Sequence, residues 1–281
     1  YDVIHVNLSG QDIHILGELR EILGENSKTK IVANNDYTVE LWQKSFDYWP
    51  TLRRELQYAD MLFGTEPYQV GALEVLTGRK VHLITHPCFV KRLKTLKPKR
   101  NLDVISVVTH RYDAYHNTPS LAVNGLGYKT RLIGYDENND ILGKQFVTST
   151  CYNEIVLGTN YMDFCDQLLE SKVVVDPFTL TSQSRTGWDC AALGVPMVGS
   201  LRNYSARRCF PFSSCEPFDI KEMRRLTKLL LENEQFRKKV VEHARNEVEY
   251  VSYDYSREKY LKALDEGSPI LEEKNMPKED N

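Results

Sequence analysis

The chain opens on short apolar runs separated by amphipathic stretches. Asp2 to Asn7, Lys30 to Ala33, Met61 to Gly64 and Val81 to Thr85 are too short for helices and rich in apolar residues, so they predict buried strands. Between them, Ile13 to Leu23, Val39 to Leu56 and Tyr68 to Leu76 carry helical spacing. Strands alternating with helices build a parallel sheet with right-handed crossovers. His86-Pro87 closes this first set.

The alternation then restarts. Strand Val104 to Thr109, helix Ser120 to Leu126, strand Thr130 to Gly134, helix Tyr161 to Glu170 and strand Val173 to Val175 follow in order. Further on, Leu226, Leu229, Leu230, Phe236, Val240 and Val241 form apolar faces among charges, the mark of packing helices. Between the two sets, Lys91 to Arg100 holds six basic residues in ten with little periodicity. In a chain of net charge −3 this predicts a solvated linker rather than a nucleic-acid or membrane patch. The expected organisation is a Rossmann-like domain over 1–92, a linker over 93–101 and a second Rossmann-like domain over 102–252. A further helix is expected within 253–265, and 266–281 reads as a flexible acidic tail.

Composition narrows the class. At 281 residues and 41% hydrophobic content the chain supports one large or two modest domains. Its six cysteines lack CxxC pairing, which argues against a zinc site or disulfide framework and points to a reducing cytoplasm. No run of about 18 apolar residues suggests a membrane span. The first residue is Tyr1, not Met, and an earlier strand or glycine-rich loop is expected to precede it in the natural protein.

The densest chemistry lies in SKVVVDPFTLTSQSRTGWDCAALGVPMVGS, from Ser171 to Ser200. Pro177 ends a buried strand, a polar loop follows, and a helix is expected to begin between Ser184 and Gly187. The free amides and positive dipole end of that helix suit a diphosphate. This segment resembles the donor-site signature of GT-B glycosyltransferases of the retaining family-four type (glycosyl transferases group 1). There a proline-ended strand precedes a loop, a helix with an acidic residue, and a small-x-Gly-Val-Pro turn, here Pro177, Asp189 and Ala192-Leu193-Gly194-Val195-Pro196. The resemblance spans mainly Asp103 to Leu264. It implies an α/β fold of two Rossmann-like domains facing across a cleft, with the C-terminal helix crossing back to the N-terminal domain.

The resemblance further implies a sugar moved from a nucleoside-diphosphate-sugar donor to a hydroxyl acceptor, with retention and without a metal. The family uses two glutamates eight positions apart. Asp189 stands at the second, ribose-holding position, and Thr181 replaces the first. Gln183, Ser184 and Arg185 are the substitutes for the sugar contact, with Thr186 and Gly187 beside the diphosphate. Arg111 stands where the family places a phosphate-binding arginine, and its usual lysine partner is replaced by the neighbourhood of His116, a cation only when protonated.

Other candidates rest on position. His86 ends the last strand of the first set and is a candidate for contact with a phosphate or the acceptor hydroxyl. Ser9, Gly10 and Asp36 follow strands, where ligands gather in open α/β sheets, and Glu66 adds a carboxylate. Trp42, Phe46, Tyr48 and Trp49 suggest either core packing or a stacking platform. The acceptor is open among glycan, lipid and modified nucleic acid. A catalytically inactive sugar-nucleotide binder, or a transferase acting on a hydroxylated DNA base, are the alternative readings.

Overall fold

The structure, a computed structural model, describes residues 1–8, 14–24, 26–35, 38–44, 48–97, 103–109, 118–134 and 151–271. The chain divides into two compact units, Tyr1–His86 with Asp254–Asn281, and Pro87–Tyr253.

In the first unit, strands β1 (Val3–Leu8), β2 (Lys30–Asn35), β3 (Met61–Gly64) and β4 (His82–Leu83) pair in parallel, in the order in which they occur. Helices α1 (Ile15–Leu23), α2 (Tyr48–Leu56) and α3 (Pro67–Thr77) connect them. A sheet wound one way with right-handed crossovers receives all its connecting helices on one face. The side-chain alternation of the strands records this. Ile31, Ala33 and Leu62 pack with Leu16, Leu52 and Leu73 of those helices. Val32, Met61 and Phe63 point to the other face, which Tyr260, Ala263 and Leu264 of the last helix, α11 (Tyr253–Glu266), cover. The crossover helix is therefore the lid of a face that the winding leaves bare.

Two expectations change here. The helix expected from Val39 to Leu56 is a 3₁₀ turn, Val39–Lys44, followed by α2, in whose first turn Pro50 sits where its missing N–H costs no helical bond. The chain after Glu266 is not loose up to Leu271. Ser268 donates its N–H to the Asp60 carbonyl at 3.0 Å and accepts from Leu62 N at 2.7 Å, and Leu271 N reaches Gly78 O at 2.8 Å.

The second unit is a six-stranded parallel sheet in the order β10-β9-β8-β5-β6-β7. Its strands are β5 (Val104–Val108), β6 (Lys129–Ile133), β7 (Glu154–Val156), β8 (Val173–Asp176), β9 (Met197–Ser200) and β10 (Ser214–Cys215). Its helices are α4 (Val90–Leu93), α5 (Ser120–Val123), α6 (Tyr161–Leu169), α7 (Arg185–Leu193), α8 (Tyr204–Cys209), α9 (Ile220–Glu232) and α10 (Glu234–Glu247). From β5 the chain winds outward through β6 and β7, then returns to place β8 on the other side of β5, with Val107 opposite Val175. That reversal makes the β5/β8 boundary the topological switch point, where open α/β sheets bind ligands at their carboxyl ends.

The division between units falls at His86/Pro87 rather than near residue 92. Val90 and Leu93, three residues apart on one side of α4, are buried in the second unit's core. Their burial draws the start of the basic run onto that unit, and Lys94 pairs with Glu249 at 2.5 Å. Among the described residues no helix is long and apolar enough to cross a membrane.

Candidate functional site

The loop from Pro177 to Ser184 leaves β8 at the switch point and is held at both ends. Its anchor is Asp176, the last residue of β8 and fully buried. Asp176 Oδ2 accepts from Ser184 Oγ at 2.9 Å and from Asn203 Nδ2 at 3.3 Å. The loop also zips onto the segment after β9. Tyr204 N donates to Ser182 O at 2.8 Å and Ser205 N to Gln183 O at 3.1 Å. Sequence reasoning stopped the strand at Val175 and missed Asp176, although a carboxylate immediately before Pro177 at a strand end was the available signal.

Ser184 precedes α7 in the N-cap position but does not cap it. Its hydroxyl is committed to Asp176, and its backbone lies at φ 41°, the one non-glycine positive φ among the described residues. A serine held in that region carries strain that the surrounding contacts must offset. The helix start is thus left to other partners, since the first-turn N–H groups have none within the helix. Arg185, in that first turn, is exposed and lies over the Tyr161 ring at 4.3 Å.

Behind this surface lies Asp189, with no exposed area. Its Oδ1 accepts from the Tyr161 hydroxyl at 2.8 Å and the Cys88 thiol at 3.3 Å, and its Oδ2 is 3.5 Å from Arg185 Nε. Burial raises its pKa to about 6, opposed by the charge of Arg185 and the bonds from Tyr161 and Cys88. Desolvation and the nearby carboxylate push the Tyr161 hydroxyl and the Cys88 thiol upward, so both remain protonated donors. At the position the resemblance gives to a ribose-holding carboxylate, Asp189 has no exposed oxygen in this structure, and its Oδ2 makes no hydrogen bond among the described residues. One oxygen is already shared by two donors, and the other faces Arg185 inside the protein. Asp189 orients the surface groups Arg185 and Tyr161.

Gly187 also has a packing reason. A Cβ there would lie 2.3 Å from Ser205 Oγ and 2.7 Å from Ser205 Cβ, so the glycine lets α7 rest on α8. Trp188 is buried and meets Tyr204 edge to face at 5.8 Å. Pro177, Thr181 and Thr186 are buried, and Gln183 is half-buried.

Glu66 caps α3, accepting from the amides of Tyr68 and Gln69, so its carboxylate is consumed by the helix start. His86 is exposed at the end of the first unit. Trp42 and Tyr48 belong to the first unit's core, whereas Trp49 is exposed. Arg111, His116, Ser9, Gly10, Asp36 and Phe46 lie outside the described residues.

Solved structures of trehalose-6-phosphate synthases match nearly the whole chain. The OtsA synthase superposes with a TM-score of 0.70 at 13% identity, covering 94% of this chain and 71% of its own. The UDP-forming α,α-trehalose-phosphate synthase from Burkholderia xenovorans, in complex with glucose-6-phosphate, gives 0.71 at 11% identity over 93% and 72% of the two chains. The E. coli protein bound with UDP-2-fluoro glucose gives 0.70 at 12% identity over 93% and 72%. The chain has the GT-B fold. No family model matches the GT-B chain, and no curated protein sequence does. The fold likeness thus reaches well beyond detectable sequence kinship.

Proposed function

We infer that this GT-B protein is a glycosyltransferase that takes its sugar from a nucleoside-diphosphate donor. The observation that carries the reading is the coincidence of an uncapped, arginine-bearing helix start with the topological switch point of the second unit. The N-terminus of α7 offers amides and a positive dipole end to the diphosphate, and Arg185 adds a cation beside it. Asp189 and Tyr161 act as positioning residues, one by its charge and the other by its ring face.

In this reading the bond from the anomeric carbon to the diphosphate breaks with its electron pair going to the diphosphate. The acceptor oxygen bonds to the same carbon, and its proton passes to the departing phosphate oxygen. No protein nucleophile enters, which is the retaining course the resemblance implies, and independence of a metal is part of the same proposal. Preorganised donors at the leaving group are the largest catalytic contribution open to such a site. Thr181 cannot accept sugar hydroxyls as a glutamate does, and Gln183 offers the first side-chain amide after it in the loop. A sugar phosphate is the first acceptor class to try, on the likeness to the Burkholderia synthase complex.

The test is release of nucleoside diphosphate from a panel of donors with and without sugar-phosphate, glycan and lipid acceptors. Acceptor-dependent release that falls at least tenfold in Arg185→Ala supports the transferase. Donor binding with no turnover on any acceptor would favour the inactive sugar-nucleotide binder instead.

A further inference from the structure

The Gly194-Val195-Pro196 turn, part of the motif that pointed to the donor loop, lies at the opposite end of α7 and of β9. There it borders a separate concavity of about 690 Å³, lined also by the start of β8 and one face of α10. The lining gathers four cations, Lys172, Arg237, Lys238 and Arg245, against one carboxylate, Glu242. Arg237, Val241 and Arg245 recur at four-residue spacing, as do Lys238, Glu242 and Asn246, so a single helical stripe faces the cavity.

The state of these cations distinguishes the cavity from an ordinary charged surface. Among the described residues Lys238 and Lys172 pair with exposed carboxylates, Glu234 at 2.8 Å and Asp103 at 3.4 Å, pairs that are weak and exchangeable, and Lys172 also lies over the Tyr128 ring at 5.4 Å. Arg237 donates to the Leu230 carbonyl at 3.3 Å. Among the described residues Arg245 has no carboxylate within ion-pair distance. Its guanidinium lies against Gly194, where a Cβ would fall 2.2 Å from Nη2 and 2.5 Å from Cζ. Gly194, at φ 74°, closes α7, and the cation beside it also offsets the negative end of that helix. The glycine therefore admits an exposed arginine fork beside the concavity, with Lys172 and Lys238 also in its lining.

We propose that this cavity is a second anion site that binds a phosphomonoester, separate from the donor loop. A planar fork flanked by ammonium groups matches the oxygens of a terminal phosphate, and the volume suits a small phosphorylated metabolite rather than a polymer. Because α7 begins at the donor loop and ends at Gly194, both sites hold the same helix.

The probe is inorganic phosphate, titrated calorimetrically into the full chain at constant ionic strength and with UDP at a saturating level. Phosphate is expected to bind with UDP present, and Arg245→Gln and the surface double variant Lys172→Gln/Lys238→Gln each to weaken it at least tenfold. The double variant keeps the test valid if Arg245→Gln does not fold. Absence of phosphate binding, affinity unchanged in a folded variant, or displacement of phosphate by UDP would each overturn the assignment. Failure of UDP to bind leaves the phosphate titration readable, so the two sites stand or fall separately.

Discussion

Ser184 Oγ donates to Asp176 Oδ2 at 2.9 Å, and this bond turns the residue at the head of α7 away from the helix it would ordinarily cap. The strand end, the loop and the helix start are thereby locked into one arrangement, at the expense of a positive φ on a serine.

Replacing Ser184 separates the bond from the strain. Ser184→Ala loses the hydrogen bond and keeps the strained φ, whereas Ser184→Gly loses the bond and relieves the strain. Ser184→Gly is expected to be more stable than Ser184→Ala by about 1 kcal/mol, read by urea denaturation. Equal stability, or the reverse order, would show that the φ is not strained.

Gly187→Ala forces a methyl group onto Ser205. The variant is expected to lose about 1–3 kcal/mol of stability. Adding Ser205→Gly, which removes both clashing atoms, should recover part of that loss in a thermal melt, whereas a distant substitution should not.

The buried Asp189 carries a pH signature. Its pKa in the folded protein, about 6, stands above its ordinary value of 3.8, so between the two the folded state holds more protons than the unfolded state. Stability from this group therefore falls as pH rises from about 4 to about 6, by an amount on the order of 3 kcal/mol. Asp189→Asn lacks that term. Its stability relative to wild type should rise between pH 4.5 and pH 7.5, measured by denaturant unfolding at both. A constant difference would mean that the carboxylate is not held as described.

Much of this architecture was legible in the residues. Short apolar runs alternating with helical periods predicted the four strands of the first sheet and the parallel class of the second but not its β7 and β10, and the Pro177 to Pro196 pattern located the loop. What the sequence could not show was direction. Asp189 sits at a motif position that reads as a ligand contact, but helix periodicity alone does not say that its carboxylate turns inward to Tyr161 and Cys88, residues 28 and 101 positions away. The partners of a buried polar group come from distant segments. Glu66 misled for the opposite reason, because a carboxylate after a strand is equally a cap for the next helix, and Pro67 at the first helical position was the signal for that role. The basic run misled because its net charge masked Val90 and Leu93, two apolar residues with the right spacing to be buried.

The most direct test of the central claim is calorimetric titration of nucleoside-diphosphate sugars into wild type and Arg185→Ala, with the matching nucleoside monophosphates as controls. The account predicts a selective donor that binds wild type, weakens about tenfold or more in Arg185→Ala, and depends on its second phosphate. Absence of binding by every donor, or binding indifferent to both Arg185 and the second phosphate, would contradict a diphosphate site at the head of α7.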